Sequence, residues 1–261
     1  MPDIHPSAVV DPAVRIANDC RIGPFCVLGG DVVLDEGVVL HSHVVVEGRT
    51  KIGRNTQIFP FACIGHRPQD LKYDNEASSL EVGVDNVIRE YVTMNPGTGG
   101  GGMVTRIGDR CLFMVGAHVA HDCQIGDAVI MANNATLAGH VTVGKSAVIG
   151  GLSAVHQFVR IGHNAMIGGM SGVESDVIPY GIAFGERASL QGINIVGLKR
   201  NGIDRERIRT VMQAYDVLFF GEGNQAERAG QVAETFDGCD EVGQILSFIE
   251  SQSSRALLRP K

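Results

Sequence analysis

The stretch IGDAVIMANNATLAGHVTVGKSAVIGGLSAVHQFVRIG (residues 125–162) has an apolar residue at every sixth position, from Ile125 and Met131 to Ile161. This spacing fits neither the 3.6-residue period of a helix nor the two-residue period of a strand. A short strand with one inward side chain and a turn, repeated three times, closes a triangular coil of about 18 residues. The stretch therefore predicts a solenoid in which parallel strands of successive coils stack.

The same spacing extends over most of the chain. It runs from Ile4 to Ile64, resumes in phase at Val82 for three repeats, and runs again from Ile107 to Val173, which gives 26 apolar anchor positions. Two interruptions, near 69–81 and 95–106, are interpreted as insertion loops. We assign residues 1–189 to the solenoid. Residues 190–261 carry helical patterns, including one that starts at Asp204 and stops at Gly221, and predict a small α-helical C-terminal domain.

Composition excludes several classes of function. The net charge of −7 argues against a nucleic-acid or anionic-membrane binder. No apolar run approaches the ~20 residues that a membrane span needs. The N-terminus MPDIHPSAVV lacks the features of a secretory signal, which predicts a cytoplasmic protein. Four of the six cysteines occupy small inward positions four residues after an anchor and are predicted to be reduced and inert: Cys20, Cys26, Cys111 and Cys123.

Polar residues cluster around the anchors Val119, Leu137 and Val155, which are 18 residues apart and should stack in successive coils. They are His118, His121, Asp122, His140, His156 and Gln157. Four of the nine histidines thus fall at one outer corner, whereas ordinary turn residues would be spread over all corners. The pattern predicts a functional cleft, whose second wall would come from another subunit or from the insertion loops.

The residues alone leave two chemistries open. In the first, His118, His121 and His140 bind zinc and leave one position for water, as in hexapeptide-repeat carbonic anhydrases. In the second, which needs no metal, a neutral histidine oriented by a carboxylate acts as a general base toward a hydroxyl that attacks a thioester.

Five motifs in order extend this cluster: IGHRPQDLKY (64–73), HVAHDC (118–123), LAGHV (137–141), AVHQF (154–158) and GLKR (197–200). Over nearly the whole chain the sequence resembles the UDP-N-acetylglucosamine O-acyltransferases, a family of hexapeptide-repeat transferases. The resemblance implies a mainly β fold, a left-handed parallel β-helix, in a homotrimer with sites between subunits and no cofactor or metal. It also implies transfer of a 3-hydroxyacyl chain from acyl carrier protein to the glucosamine 3-position of UDP-N-acetylglucosamine, the first step of lipid A biosynthesis. Transfer to the 3-amino analogue, giving an amide, stays open.

The resemblance assigns roles by position. His121 would be the general base, Asp122 would support its imidazolium form, and the N–H of Gly139 would face the oxyanion. His118, His140, His156 and Gln157 would hold substrate. Gln69, Asp70 and Lys72 would reach the sugar nucleotide or acyl chain from an adjoining subunit, and Asn194 and Arg200 would contact the nucleotide.

Two further features concern the donor. Gly169 matches the position that limits acyl length in the family, and a glycine there predicts a chain longer than ten carbons. Residues 199–209 carry five basic side chains against Asp204 and Glu206, and we expect this segment to dock the acidic acyl carrier protein. The sequence departs from common family residues at Asn95, Arg187 and Val196, where histidine, histidine and glutamate are frequent.

Overall fold

The computed structural model describes all residues, 1–261, and each anchor position ends a short strand. The strands in chain order are β1 (Asp3–Ile4), β2 (Val9–Val10), β3 (Arg15–Ile16), β4 (Arg21–Ile22), β5 (Val27–Leu28), β6 (Val33–Leu34), β7 (Val39–Leu40), β8 (Val45–Val46), β9 (Arg49–Ile52), β10 (Gln57–Ile58), β11 (Cys63–Ile64), β12 (Ser79–Val82), β13 (Val87–Ile88), β14 (Thr93–Met94), β15 (Val104–Ile107), β16 (Leu112–Phe113), β17 (His118–Val119), β18 (Gln124–Ile125), β19 (Ile130–Met131), β20 (Thr136–Leu137), β21 (Thr142–Val143), β22 (Val148–Ile149), β23 (Ala154–Val155), β24 (Arg160–Ile161), β25 (Met166–Ile167), β26 (Gly172–Val173), β27 (Gly181–Phe184) and β28 (Ser189–Ile193). The predicted repeat is therefore confirmed strand by strand.

These strands form the three faces of a left-handed parallel β-helix. From β1 to β23, each strand pairs with the strand three further along the chain, so that Ile4 lies beside Ile22 and Val119 beside Leu137. The three sheets have 11, 9 and 8 strands. The β17, β20 and β23 strands, which carry Val119, Leu137 and Val155, are neighbours in the 9-stranded sheet, as the 18-residue spacing predicts.

The core is the column of anchors inside the prism. From Ile22 onward the anchors are at most 4% exposed, whereas Ile4 in the first coil is 38% exposed because no coil lies below it. Burying one such side chain stabilises the fold by roughly 1.5–3 kcal/mol, so the stacked column supplies most of the driving force. The four cysteines expected in inward positions are buried and free.

The two insertions leave the prism between strands of different sheets. The first occupies residues 65–78 and the second residues 95–103, since β12 begins at Ser79 and β15 at Val104. The expected loops, near 69–81 and 95–106, extend three residues beyond the observed C-terminal ends, and the first insertion begins four residues earlier than expected. Residues 79–82 and 104–107 pair with each other in four-residue strands, which carries the ladder across the interruption.

The C-terminal part packs on the last coils. A hairpin of β27 and β28 continues the 11-stranded sheet, and four helices follow: α1 (Ile195–Arg200), α2 (Arg205–Phe220), α3 (Gln225–Thr235) and α4 (Asp240–Glu250). Asp204 caps α2 and Gly221 follows its end, as the sequence predicts. The division at residues 189 and 190 stays a prediction, because β28 contacts both the sheet and α2. None of the helices combines the length and the hydropathy needed to cross a membrane.

Candidate active site

One edge of the prism carries a ladder of outward side chains. Asp122, His140 and Phe158 each lie three residues after an anchor and adopt the left-handed conformation, with φ of 60°, 63° and 66°. This conformation turns the chain toward the next face, so the three side chains lie above one another at the corner between two sheets. The rings of His140 and Phe158 stack with centroids 4.3 Å apart and planes 4° apart. The structure brings three of the predicted polar residues together at this corner: His121, Asp122 and His140.

His121 and Asp122 form a hydrogen-bonded pair. The Nδ1 of His121 lies 2.9 Å from Oδ2 of Asp122, whose side chain has no exposed surface. An ionised carboxylate only accepts hydrogen bonds, so Nδ1 carries the proton and Nε2 has a free lone pair. Nε2 has no partner within the chain, and the imidazole borders an open cavity. The geometry is that of a histidine held ready to accept a proton.

Thr98, from the second insertion, fixes the carboxylate from the other side. Its backbone N–H lies 3.0 Å from Oδ1 and 3.1 Å from Oδ2 of Asp122, and its hydroxyl donates to Oδ2 at 2.7 Å. Thr105 accepts a 2.7 Å hydrogen bond from the Asp122 backbone N–H. The sequence reasoning missed Thr98, because it lies in an irregular loop for which the six-residue spacing gives no position.

Gly139 lies against the Nε2 edge of His121. A side chain at this position would sit 2.7 Å from Nε2, so only glycine leaves the approach to that nitrogen open. The carbonyl of Gly139 accepts from Phe158, but its N–H has no acceptor within the chain. A free backbone donor beside a free histidine nitrogen can bind an oxygen that develops negative charge.

His118 and His140, two of the other histidines of the corner, are partly buried. Burial lowers the pKa of His118, and the neighbouring His121 lowers it further. Burial also lowers the pKa of His140, against an opposing effect of Asp122. His118 Nδ1 lies 2.7 Å from the Thr93 hydroxyl, and the His140 and His121 rings meet edge to face with centroids 4.9 Å apart. Both histidines are therefore neutral at pH 7 and offer hydrogen bonds rather than charge.

The insertion loops supply the second wall. A cavity of about 550 Å³ is lined by Gln69, Asp70, Leu71, Lys72, Thr98, Gly100, His121, His140, Gln157 and Phe158. Within the single chain, Gln69, Asp70 and Lys72 line the cavity beside His121, whereas the resemblance implied that they reach the site from an adjoining subunit. The loop folds back over its own corner, which the sequence could not show.

Gln157 lines this cavity, and Gln157 and the neighbouring His156 share a partner from the C-terminal tail. Arg255 donates to Nδ1 of His156 at 2.7 Å and to the carbonyl of Gln157 at 2.9 Å. A guanidinium only donates, so the proton of His156 is on Nε2. Arg255 is a second residue that the sequence reasoning missed, because it is 98 residues away from Gln157.

Three predicted site residues lie elsewhere in the single chain. Asn194 and Arg200 line a separate cavity of about 450 Å³ together with Val148, Met166 and Val196. The side chain of Asn194 caps α1 and donates to the carbonyl of Asn164. Gly169 follows an anchor of the 11-stranded sheet and is exposed beside Gly151, at a different corner from His121. The three positions at which the sequence departs from common family residues lie in different surroundings. The side chain of Asn95 donates a hydrogen bond to the His66 carbonyl in the first insertion, whereas Val196 and Arg187 are exposed.

The zinc hypothesis does not fit this donor set. The side chains that come within 4.8 Å of one another are His121, Asp122 and His140, and His118 is not among them. Both oxygens of Asp122 already accept hydrogen bonds from Thr98, and Nδ1 of His121 is directed at the same carboxylate. The predicted three-histidine site is therefore not formed.

Comparisons with known proteins agree with this geometry. Residues 176–258 match the family described as UDP-N-acetylglucosamine O-acyltransferase, domain 2, and residues 13–48 and 105–139 match bacterial transferase hexapeptide (six repeats). An acyl-(acyl-carrier-protein)–UDP-N-acetylglucosamine O-acyltransferase of Rickettsia peacockii (strain Rustic) is 54% identical over 257 residues, which cover 98% of this chain and 97% of the relative.

Solved structures give the same result. The UDP-N-acetylglucosamine O-acyltransferase of Moraxella catarrhalis RH4 is 38% identical with a TM-score of 0.95, over 98% of this chain and 99% of that one. The UDP-N-acetylglucosamine acyltransferase of Arabidopsis is 33% identical with a TM-score of 0.87, over 98% of this chain and 100% of that one.

Proposed function

This chain belongs to the UDP-N-acetylglucosamine O-acyltransferase family, and from that premise we propose that it transfers an acyl chain from acyl carrier protein to UDP-N-acetylglucosamine. The acyl group is a 3-hydroxyacyl chain, the acceptor is the 3-hydroxyl of the glucosamine ring, and the reaction is the first step of lipid A biosynthesis. The observation that carries the proposal is the free Nε2 of His121 beside the free N–H of Gly139, with Asp122 buried behind the imidazole.

The reaction begins with proton removal from the sugar. Nε2 of His121 accepts the proton of the 3-hydroxyl while the oxygen attacks the thioester carbonyl. The imidazolium that forms is stabilised by Asp122 through the 2.9 Å contact at Nδ1. Asp122 stays a carboxylate throughout, because the donors of Thr98 and His121 hold both its oxygens.

The tetrahedral intermediate then collapses. Its oxyanion accepts the hydrogen bond of the Gly139 N–H, the carbon–sulfur bond breaks, and the imidazolium returns the proton to the leaving thiolate. The products are the sugar ester and the free thiol of the carrier protein, and His121 is neutral again. No metal takes part in this sequence of proton transfers.

Substrate binding uses both walls of the cavity. Gln69, Asp70 and Lys72 on the first insertion face His140 and Gln157 across a space of about 550 Å³, which suits the sugar with part of its diphosphate. Lys72 supplies positive charge for the phosphates. His118 and His156 complete the hydrogen bonds around the reacting groups.

We propose a homotrimer because one face of the prism is apolar on the outside. The outward positions of five consecutive strands of the 11-stranded sheet are half-buried and apolar: Leu112, Ile130, Val148, Met166 and Ile182. The cavity that contains Asn194 and Arg200 lies on this same face. When this face packs on the next chain, Asn194 and Arg200 reach a nucleotide bound beside the His121 of that chain, which accounts for their distance from His121 within one chain.

The carrier protein docks on the basic segment 199–209, but Arg207 does not take part in the docking. Arg207 is paired with the buried Glu241 at 2.8 Å and with Asp240 at 3.1 Å, so it is not free for a partner. Lys199, Arg200, Arg205 and Arg209 remain exposed. The reaction takes place in the cytoplasm, where acyl carrier protein supplies the donor. Gly169 leaves room for an acyl chain longer than ten carbons.

The experiment is a mass-spectrometric assay of the purified protein. It offers UDP-N-acetylglucosamine and its 3-amino analogue separately, each with a panel of 3-hydroxyacyl carrier proteins, with and without a chelator. We expect an ester of the N-acetylglucosamine nucleotide, formed equally with the chelator. Exclusive amide formation on the amino sugar would contradict the proposed acceptor, and activity lost with the chelator would contradict the metal-free mechanism.

A further inference from the structure

We propose that Thr98 is a positioning residue for the reaction: it holds Asp122 in the orientation that keeps the proton of His121 on Nδ1. The inference rests on the proposed function of His121 as the base. It extends that function to a residue in the second insertion, whose glycine-rich sequence by itself would indicate a flexible loop. The loop is instead a built part of the catalytic corner.

The hydrogen bonds around Asp122 carry the first step. Oδ2 accepts from the Thr98 hydroxyl at 2.7 Å and from Nδ1 of His121 at 2.9 Å, while Oδ1 accepts the Thr98 N–H at 3.0 Å. The same N–H lies 3.1 Å from Oδ2, and because a backbone N–H can only donate, it holds the edge of the carboxylate against the loop. The Thr98 hydroxyl donates to Oδ2, and Nδ1 of His121 donates a further hydrogen bond to the same oxygen. Thr98 and Asp122 are each 3% exposed, so water does not substitute for these bonds.

The loop is shaped to bring Thr98 to this place. The carbonyl of Thr98 accepts the N–H groups of Gly101 at 3.1 Å and Met103 at 3.2 Å, which closes the loop on itself. Gly101 lies so close to the Asp122 carboxylate and to the His140 ring that a side chain there would overlap both. The glycines of this insertion thus allow the backbone to cover the carboxylate.

The second insertion is also joined to the first. Glu76 accepts the N–H of Gly99 at 3.1 Å through Oε1 and the N–H of Asp74 at 3.0 Å through Oε2. Gly99 is the residue next to Thr98, and Glu76 lies in the insertion that carries Gln69, Asp70 and Lys72. Substrate-binding residues and the carboxylate behind the base are therefore parts of one hydrogen-bonded unit.

Loss of the Thr98 hydroxyl should lower the rate of the reaction. A hydrogen bond to a charged buried group is among the stronger ones in proteins, and its loss corresponds to roughly a 10- to 100-fold change in an equilibrium. Without the hydroxyl, Asp122 can rotate away from Nδ1, and His121 then populates the tautomer whose Nε2 carries the proton. We expect Thr98→Val to lower kcat by roughly 10- to 100-fold and to leave KM for the sugar nucleotide within about twofold.

The test compares three full-length variants. Thr98→Val removes the hydroxyl, Thr98→Ser keeps it, and Thr56→Val is the matched control, since Thr56 is a buried threonine whose hydroxyl donates to the Gly83 carbonyl away from the cavity. We expect the valine variant at position 98 to lose kcat, the serine variant to recover most of it, and the control to retain it. The 15N shifts of the His121 ring, assigned by its loss in His121→Asn, should show Nδ1–H in the parent and a shift toward Nε2–H in Thr98→Val.

Each result decides the question. Unchanged kcat in Thr98→Val, or equal losses in Thr98→Val and Thr56→Val, would overturn the proposal, as would a lost kcat with an unchanged His121 tautomer. If Thr98→Val does not fold, Thr98→Ala removes the same hydroxyl with a smaller side chain and should lower kcat in the same way. A parent protein inactive on both sugar nucleotides would contradict the proposed function instead, and the tautomer measurement would still test Thr98.

Discussion

Replacing Asp122 with asparagine changes one atom in the most constrained part of the site. The carboxylate accepts from a backbone N–H, a hydroxyl and an imidazole N–H, and its side chain is fully buried. An amide has one acceptor and one donor group, so one of these partners must change. The Thr98 N–H cannot accept, and the amide oxygen will therefore face it.

The amide NH2 then occupies the place of Oδ2 and faces two former donors. The Thr98 hydroxyl can rotate and accept, and His121 can accept only if its proton moves from Nδ1 to Nε2. Nε2 is the nitrogen that we propose as the base, and in this tautomer its lone pair is lost. Loss of a positioned general base typically costs about 10²–10⁴ in rate, so kcat of Asp122→Asn should fall by that factor. The weakened hydrogen bonds should destabilise the fold by roughly 1–3 kcal/mol.

The assay is the initial rate of ester formation at saturating donor and acceptor, with KM for each measured separately. Asp127→Asn is the matched control, because Asp127 accepts a backbone N–H at a turn outside the cavity. We expect the control to keep its rate and Asp122→Asn to keep its KM for the sugar nucleotide. A kcat above about one hundredth of the parent value would refute the reasoning, since the tautomer change predicts at least about a 100-fold loss.

Three further predictions concern the rest of the molecule. Burial lowers the pKa of His118, His140 and His163 below 6.5, so the unfolded chain binds more protons than the folded one in the acid range. The free energy of unfolding, measured in urea, should therefore rise with pH up to about 6.5 and stay flat above it. A fall in this free energy over that range would contradict the prediction. Charge reversal of Arg205 and Arg209 should raise KM for acyl carrier protein in a salt-dependent way. Arg207→Glu should instead lower Tm, because it leaves the buried Glu241 unpaired. Equal effects of both changes would contradict the assignment of Arg205 and Arg209 to docking and of Arg207 to the fold. Burial raises the pKa of the Cys111 thiol to about 11 and that of Cys123 to about 12, so both should react with a thiol reagent only in denaturant, and rapid modification of the native protein would show that these inward positions open.

The repeat could be predicted from sequence because each strand places a single side chain in the core. An anchor such as Leu137 determines the height and the face of its neighbours, so His121 and His140 could be placed at one corner without coordinates. The same logic placed Asp122 at this corner, whereas its role as the partner of His121 was implied by the family resemblance. Local periodicity is sufficient here, because every coil repeats the geometry of the coil below it.

The residues that complete the site could not be found in this way. Thr98 and Arg255 come from a loop and from the C-terminal tail, and their positions depend on contacts with residues far away in sequence. The path of the first insertion back over its own chain is also a tertiary effect, so the position of Asp70 and Lys72 beside their own His121 could not be read from the six-residue spacing. The sequence did not predict the four-residue length of the strands that begin at Ser79 and Val104, because pairing across the interruption extends both strands.

The most direct test of the account is the turnover number of His121→Asn at saturating substrates. His5→Asn, an exposed histidine of the first coil, is the control, and thermal unfolding of both proteins reports folding. The account predicts a kcat reduced at least about 100-fold, with Tm close to that of the parent. A folded His121→Asn protein that forms the ester at a near-normal rate would contradict it.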